Sequence, residues 1–127
     1  MSDSFIPATA ISASGMRAQA LRLRLVAENI ANADTPGYRR KLVPFEPSRD
    51  TGLVQPGRVR LDAKELPRIH DPSHPMADDH GYYDGSGVNL VIEIADSREA
   101  SRSYEANLRV FEQSRKMAAS TLDLLRR

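Results

Sequence analysis

Three imidazoles and three carboxylates, His70, Asp71, His74, Asp78, Asp79 and His80, fall within eleven residues. Nitrogen and oxygen ligands at that density suit a first-row divalent ion, and a metal-dependent hydrolase using the His70–His80 loop is the chemistry they would support. The spacing argues against it. No His-Glu-x-x-His pair occurs, and Pro72 and Pro75 hold the segment extended. The alternating acids, glycine and distal Glu of a calcium loop are also missing. A solvated polar loop without metal is expected.

Nucleophilic catalysis has less support. Ser86 sits in Asp84-Gly85-Ser86-Gly87, which is not the Gly-x-Ser-x-Gly elbow, and neither glycine-rich phosphate loop is present. No catalytic residue and no cofactor are expected. The chain has no cysteine, which excludes disulfides and thiolate metal sites. Arg39, Arg40 and Lys41 form the one basic cluster, but residues 36–87 carry eight Lys/Arg and eight Asp/Glu, so no field supports an anion patch. Ion pairs within or between chains are the expected role. The whole chain has 18 Lys/Arg against 17 Asp/Glu, which argues against nucleic acid as a partner. Nothing approaches the eighteen consecutive apolar residues of a membrane helix, so direct membrane insertion is not expected. Met1 to Pro7 lacks a basic run before an apolar one, and no cleaved signal peptide is expected.

The positions of the helix breakers divide the 127 residues into three. Seven of eight prolines and six of seven glycines lie between Pro36 and Gly87. Proline removes a backbone donor and glycine costs a helix interior about 1 kcal/mol, so the ends are helical and the middle is turn-rich. The expected units are residues 1–35, the N-terminal helix of a helical core; 36–87, a β-hairpin and loop insert; and 88–127, the C-terminal helix of the same core.

In the first unit one helix is expected from about Pro7 to Ala33. Thr9, Ala13, Met16, Ala20, Leu23, Ala27 and Ile30 recur at alternating spacings of four and three, a heptad seam. Gly15 is its weak point, a candidate hinge, and Asn32 suits the helix end. Thr35-Pro36-Gly37 reads as a turn. In the third unit the same spacing runs through Leu90, Ile94, Ser97, Ser101, Tyr104, Leu108, Phe111, Arg115, Ala118, Leu122 and Leu125. A helix of that length, about 50 Å at 1.5 Å per residue, suits a coiled coil better than a globule. In the middle, Arg58 to Asp62 alternates like a half-exposed strand, and Leu66 to His70 is the expected partner, with Pro67 at an edge.

The expected fold is therefore mainly α with a small β-rich insert, the terminal helices paired as an antiparallel coiled-coil hairpin. Two broad apolar faces exceed what one hairpin covers, and helices draw most of their stability from tertiary packing. The remainder points to self-association. Met16, Leu23, Ile30, Tyr104, Leu108, Phe111, Leu122 and Leu125 are the packing residues the seams supply. A cytosolic helical export adaptor is a further reading of the same pattern.

Asn29-Ile30-Ala31-Asn32-Ala33-Asp34-Thr35-Pro36-Gly37-Tyr38 resembles the N-I/L-A-N-x-x-T-P/T-G-Y signature of bacterial flagellar rod and hook proteins. Ser14-Gly15-Met16, Ala18-Gln19 and Arg22-Leu23 are similar to the stretch before it. Ser101 to Asn107 with Val110-Phe111 resembles the C-terminal signature. His70 to Pro75, Ala77-Asp78 and Gly81-Tyr82 are similar to the middle of the proximal-rod members, Y-D-P-x-H-P-x-A-D-x-x-G-Y, and Lys116-Met117 with Thr121 to Leu124 resembles their ending. Asp84-Gly85-Ser86-Gly87-Val88-Asn89-Leu90 departs from their P-N-V step and is closer to the D-G-x-x-V-x-L step of a sibling proximal-rod type. The resemblance covers about 14–38, 57–83 and 88–125.

That resemblance implies a structural subunit of the flagellar proximal rod, in the periplasmic part of the basal body. It implies export by the flagellar type III apparatus without a cleaved signal. The implied partners are further copies, other flagellar rod proteins, the export gate and the adaptor between the MS ring and the rod. The terminal helices would form the inner layer of a tube and the insert would make lateral contacts. Asn29, Asn32, Tyr38 and Asn107 join the packing set through their motif positions.

Overall fold

The computed structural model describes residues 6–127; Met1 to Phe5, where most of the signal-peptide reading falls, lie outside the described residues. Helix α1 spans Ala8–Ala31, 24 residues, and helix α2 spans Leu90–Leu125, 36 residues. At 1.5 Å per residue they are about 36 and 54 Å long. Pro7 is the N-cap of α1, one place before the helix. The Asn89 side chain caps α2 by accepting the Val91 N–H.

The helices lie antiparallel. Asn29 meets Glu93, Arg22 meets Asp96 and Glu99, the Gly15 backbone abuts Asn107, and Pro7 to Thr9 share a groove with Ser114, Met117 and Ala118. Gly15 is not a hinge: α1 runs through it unbroken. A Cβ there would lie 2.8 Å from the Asn107 amide, so the glycine marks a close approach of the helices. Ala18 and Ala100, both fully buried, extend that small-residue contact.

The insert contains three two-stranded antiparallel ladders. β1 (Lys41–Leu42) pairs with β4 (Arg60–Leu61), β2 (Phe45–Pro47) with β3 (Val54–Pro56), and β5 (Arg68–His70) with β6 (Tyr82–Asp84). The expected partnership of 58–62 with 66–70 is not formed. β4 turns back to the segment that leaves α1, and β5 is matched by the strand returning from the His-Pro loop. The β2–β3 hairpin is nested inside the β1–β4 pair, with a Gly57 N–H to Pro44 carbonyl bond of 2.7 Å between them. Pro44, Pro47 and Pro56 remove donors, which keeps each ladder short.

This long, interrupted hairpin lies back along α1. Asn29 holds Lys41 at one end, and fifteen residues earlier the Ser14 hydroxyl accepts the Val54 N–H at 3.1 Å. Fifteen residues of helix and seven of strand both span roughly 23 Å, so the two elements match in length. Leu25 and Val26 line a groove with Val43 and Phe45 on this side. The hairpin thus helps cover α1, and the uncovered apolar surface falls mainly on α2. Among the described residues the buried apolar side chains are Ala18, Leu25, Val26 and Ala100.

Candidate assembly interface

Asn29 is the centre of the interior. It is 1% exposed, and its side-chain amide bonds Lys41 as a neighbouring strand would: Oδ1 accepts the Lys41 N–H at 2.8 Å, and Nδ2 donates to the Lys41 carbonyl at 3.1 Å. Oδ1 also accepts the Tyr38 hydroxyl at 2.9 Å, and Nδ2 lies 3.3 Å from Glu93 Oε2. One side chain therefore joins α1, the turn, β1 and α2. Burial pushes the Tyr38 phenol above its ordinary value.

Glu93 is completely buried, a costly place for a carboxylate unless it is paired. Arg40 Nε donates to its Oε1 at 2.6 Å, and the same guanidinium reaches Asp96 at 3.2 Å and Asp62 at 3.9 Å. Lys41 pairs with Glu28 at 2.8 Å, which holds the Glu28 carboxyl below its usual range. Arg39 donates instead to the carbonyls of Asp62 and Lys64. Arg40 and Lys41 thus fasten the insert to both helices by ion pairs, and Arg39 ties the start of the insert to its own later segment through carbonyls.

The turn after α1 is held equally closely. Asn32 donates to the Glu28 carbonyl at 2.8 Å and accepts the Thr35 hydroxyl at 3.0 Å. Thr35 to Tyr38 closes with a 3.2 Å backbone bond, with Pro36 second and Gly37 third at φ +75°, the pattern of a type II turn. The divergent Asp84 to Leu90 stretch joins this corner: Ser86 Oγ donates to the Asn32 carbonyl, and the Gly87 N–H to that of Tyr38.

Of the other packing residues, Met16, Leu23, Asn32, Tyr38, Tyr104, Asn107 and Phe111 are half-buried. Ile30 (39%), Leu108 (37%), Leu122 (57%) and Leu125 (77%) are exposed. Leu108, Leu122 and Leu125, with Leu90, Val91, Ile92, Ile94, Val110, Met117 and Leu124, leave apolar surface open on both halves of α2. Sequence reasoning missed Glu93 and its link to Asn29. The available signal was a lone carboxylate inside Val91-Ile92-Glu93-Ile94, which requires a cation such as Arg40.

The His70–His80 segment does not converge on a metal site. No group of three His, Asp or Glu side chains able to hold an ion occurs among the described residues. His74 stacks on Tyr83 at 3.8 Å between ring centres, and His70 packs on Tyr82 at 4.6 Å. Asp78 accepts the N–H groups of Tyr82 and His80 and pairs with Arg68. No helix among the described residues is long and apolar enough to cross a membrane.

The described residues thus form a helix pair clasped by an Asn-centred hub, with apolar surface left open. The family model described as flagella basal body rod protein matches residues 10–39, and that described as flagellar basal body rod FlgEFG protein C-terminal matches residues 80–124. The chain belongs to the flagellar basal-body rod proteins, a structural family and not an enzyme family. Relatives that match it over nearly the full chain include FlgC proteins. The protein of Agrobacterium fabrum is 44% identical, the alignment covering 98% of this chain and 97% of the relative. That of Salmonella typhimurium is 35% identical over 90% and 92%, and that of Aquifex aeolicus 35% over 89% and 91%. The FlgC type is the one whose His-Pro loop the middle resembles.

Proposed function

We propose that this chain is a structural subunit of the proximal rod that leaves the cytoplasm through the flagellar type III apparatus and packs by its terminal helices. In this reading residues 1–35 and 88–127 form the helical core as a coiled-coil hairpin, and residues 36–87 face neighbouring subunits. The partners are further copies, other rod proteins, the export gate and the adaptor at the MS ring. The observation that carries it is the contrast between four buried apolar side chains among the described residues and the open apolar surface of α2. So small a core leaves the chain easy to unfold for passage and dependent on neighbours for burial. Met16, Leu23, Tyr104, Phe111 and Asn107 lie nearer the helix pair, and Ile30, Leu108, Leu122 and Leu125 supply the outer contacts.

The test is Leu108→Asp, expressed in a strain lacking its own copy. The expected result is secretion of the variant with loss of swimming. Normal swimming would sink the reading.

A further inference from the structure

The insert is electrically lopsided. Residues 36–66 carry seven Lys/Arg against four Asp/Glu, whereas residues 67–87 carry one against four. Ion pairs of Arg40 with Glu93 and Asp96 and of Lys41 with Glu28 settle most of the basic excess against the helices, while single charges of both signs stay open. Among the described residues, neither Arg58 nor Arg60 lies within ion-pair distance of a carboxylate, and neither Asp71 nor Asp79 meets a Lys or Arg.

Each set of charges accompanies exposed apolar surface. Arg60 pairs with Leu42 in the ladder, so the two share a face, and Leu42 is 37% exposed; Arg58 stands two residues before Arg60, ahead of the strand. Asp71 and Asp79 lie in the loop between β5 and β6 with Met76, 63% exposed. That loop is already ordered. Asp71 accepts the Ser73 N–H and hydroxyl, Asp78 ties Arg68 to two backbone N–H groups, and His74 Nδ1 accepts the Met76 N–H. Little freedom remains to be lost on docking.

We propose that the face of one copy formed by Leu42 and Arg60 docks on the acidic β5–β6 loop of a second copy. Like faces repel, so the contact joins two unlike patches of the same chain. Such a heterologous contact leaves both copies with a free patch and propagates, into a ring where its rotation closes and a helical array where it does not, whereas a self-complementary patch closes into a dimer. Opposed fields also orient the incoming subunit before contact.

This proposal rests on the rod-subunit reading, and complementation of swimming in a strain lacking its own copy separates the two. The variants are Arg60→Glu, Asp79→Lys and the two combined. Asp79 makes no side-chain hydrogen bond among the described residues, so its replacement spares the loop. Each single reversal is expected to reduce the swimming halo at least twofold, and the combined variant to restore it. Single variants that swim like the wild type overturn the contact and leave the rod reading intact. Impaired single variants whose combination is also impaired overturn the second copy as partner, another rod component then being the occupant. A wild-type chain that restores no swimming overturns the rod reading and this contact with it.

Discussion

The side chain of Asn29 and the backbone of Lys41 are joined by two hydrogen bonds, N–H to Oδ1 at 2.8 Å and Nδ2 to carbonyl at 3.1 Å. A carboxamide has the same donor and acceptor as a peptide group, so a residue of α1 acts as the next strand beside β1. Asparagine fits because it alone offers both groups at this short reach; aspartate lacks the donor, and glutamine is one carbon longer.

Asn29→Ala should leave the buried groups of Tyr38 and Lys41 unpaired, at about 1–3 kcal/mol for each unsatisfied group. Asn29→Asp should be worse at neutral pH, because a carboxylate would face the Lys41 carbonyl and the Glu93 carboxylate. Repulsion raises the folded-state pKa of the introduced acid. Its penalty is therefore absent below the unfolded value and grows as pH rises towards the folded one. Urea midpoints relative to wild type at pH 5 and pH 7.5 will check this; an equal deficit at both excludes it.

Glu93→Ala should cost about 1–3 kcal/mol, since Arg40 would lose its closest partner and Asn29 Nδ2 an acceptor, while Asp96 and Asp62 still face the guanidinium. Arg40→Met combined with Glu93→Leu should recover much of that loss. A double-mutant cycle by chemical denaturation measures the coupling, and additive effects would show the pair to be independent.

Gly15→Ala sets a helix-propensity gain of about 1 kcal/mol against a Cβ placed 2.8 Å from the Asn107 amide. Contact wins because Asn107 is short and its amide is bonded to the Ser103 carbonyl. The alanine should destabilise the wild type yet stabilise an Asn107→Ala background. Thermal melts of the four proteins decide it by the sign change.

Ionisation of Tyr38 should set in above the ordinary phenol range, because burial opposes its charge. The folded pKa is raised, so stability is unaffected below the unfolded value near 10 and is lost as pH climbs through it. At the acid end Glu28, Asp71 and Asp78 have lowered values, Glu28 through its bond from Lys41, Asp71 through Ser73 and Asp78 through the Tyr82 N–H. Their contribution is present above the ordinary carboxylate range and falls away as pH drops through the folded values. An ultraviolet phenolate titration should lose its late component in Tyr38→Phe.

The two helices were legible because proline and glycine are nearly absent from the ends and apolar residues recur there at heptad spacing. Their facing sides were less so. Spacing picks out large residues such as Leu23, Ile30 and Leu108, whereas the closest approach uses Gly15, Ala18 and Ala100, whose smallness is what brings the helices together. Strand pairing was hidden for another reason: two or three residues carry no usable alternation, and the Lys41–Leu61 register is imposed by Asn29 from outside the sheet. The Asn29 motif was visible by resemblance, but its dependence on Glu93, sixty-four positions away, was not.

α2 is longer than α1 by half, 36 residues to 24. If subunits stack along a shaft, helices of unequal length end at different heights. Their joints then overlap like staggered courses of brick, and no single cross-section passes through every junction at once. A shaft built so passes torque across each boundary through continuous helix as well as through contacts.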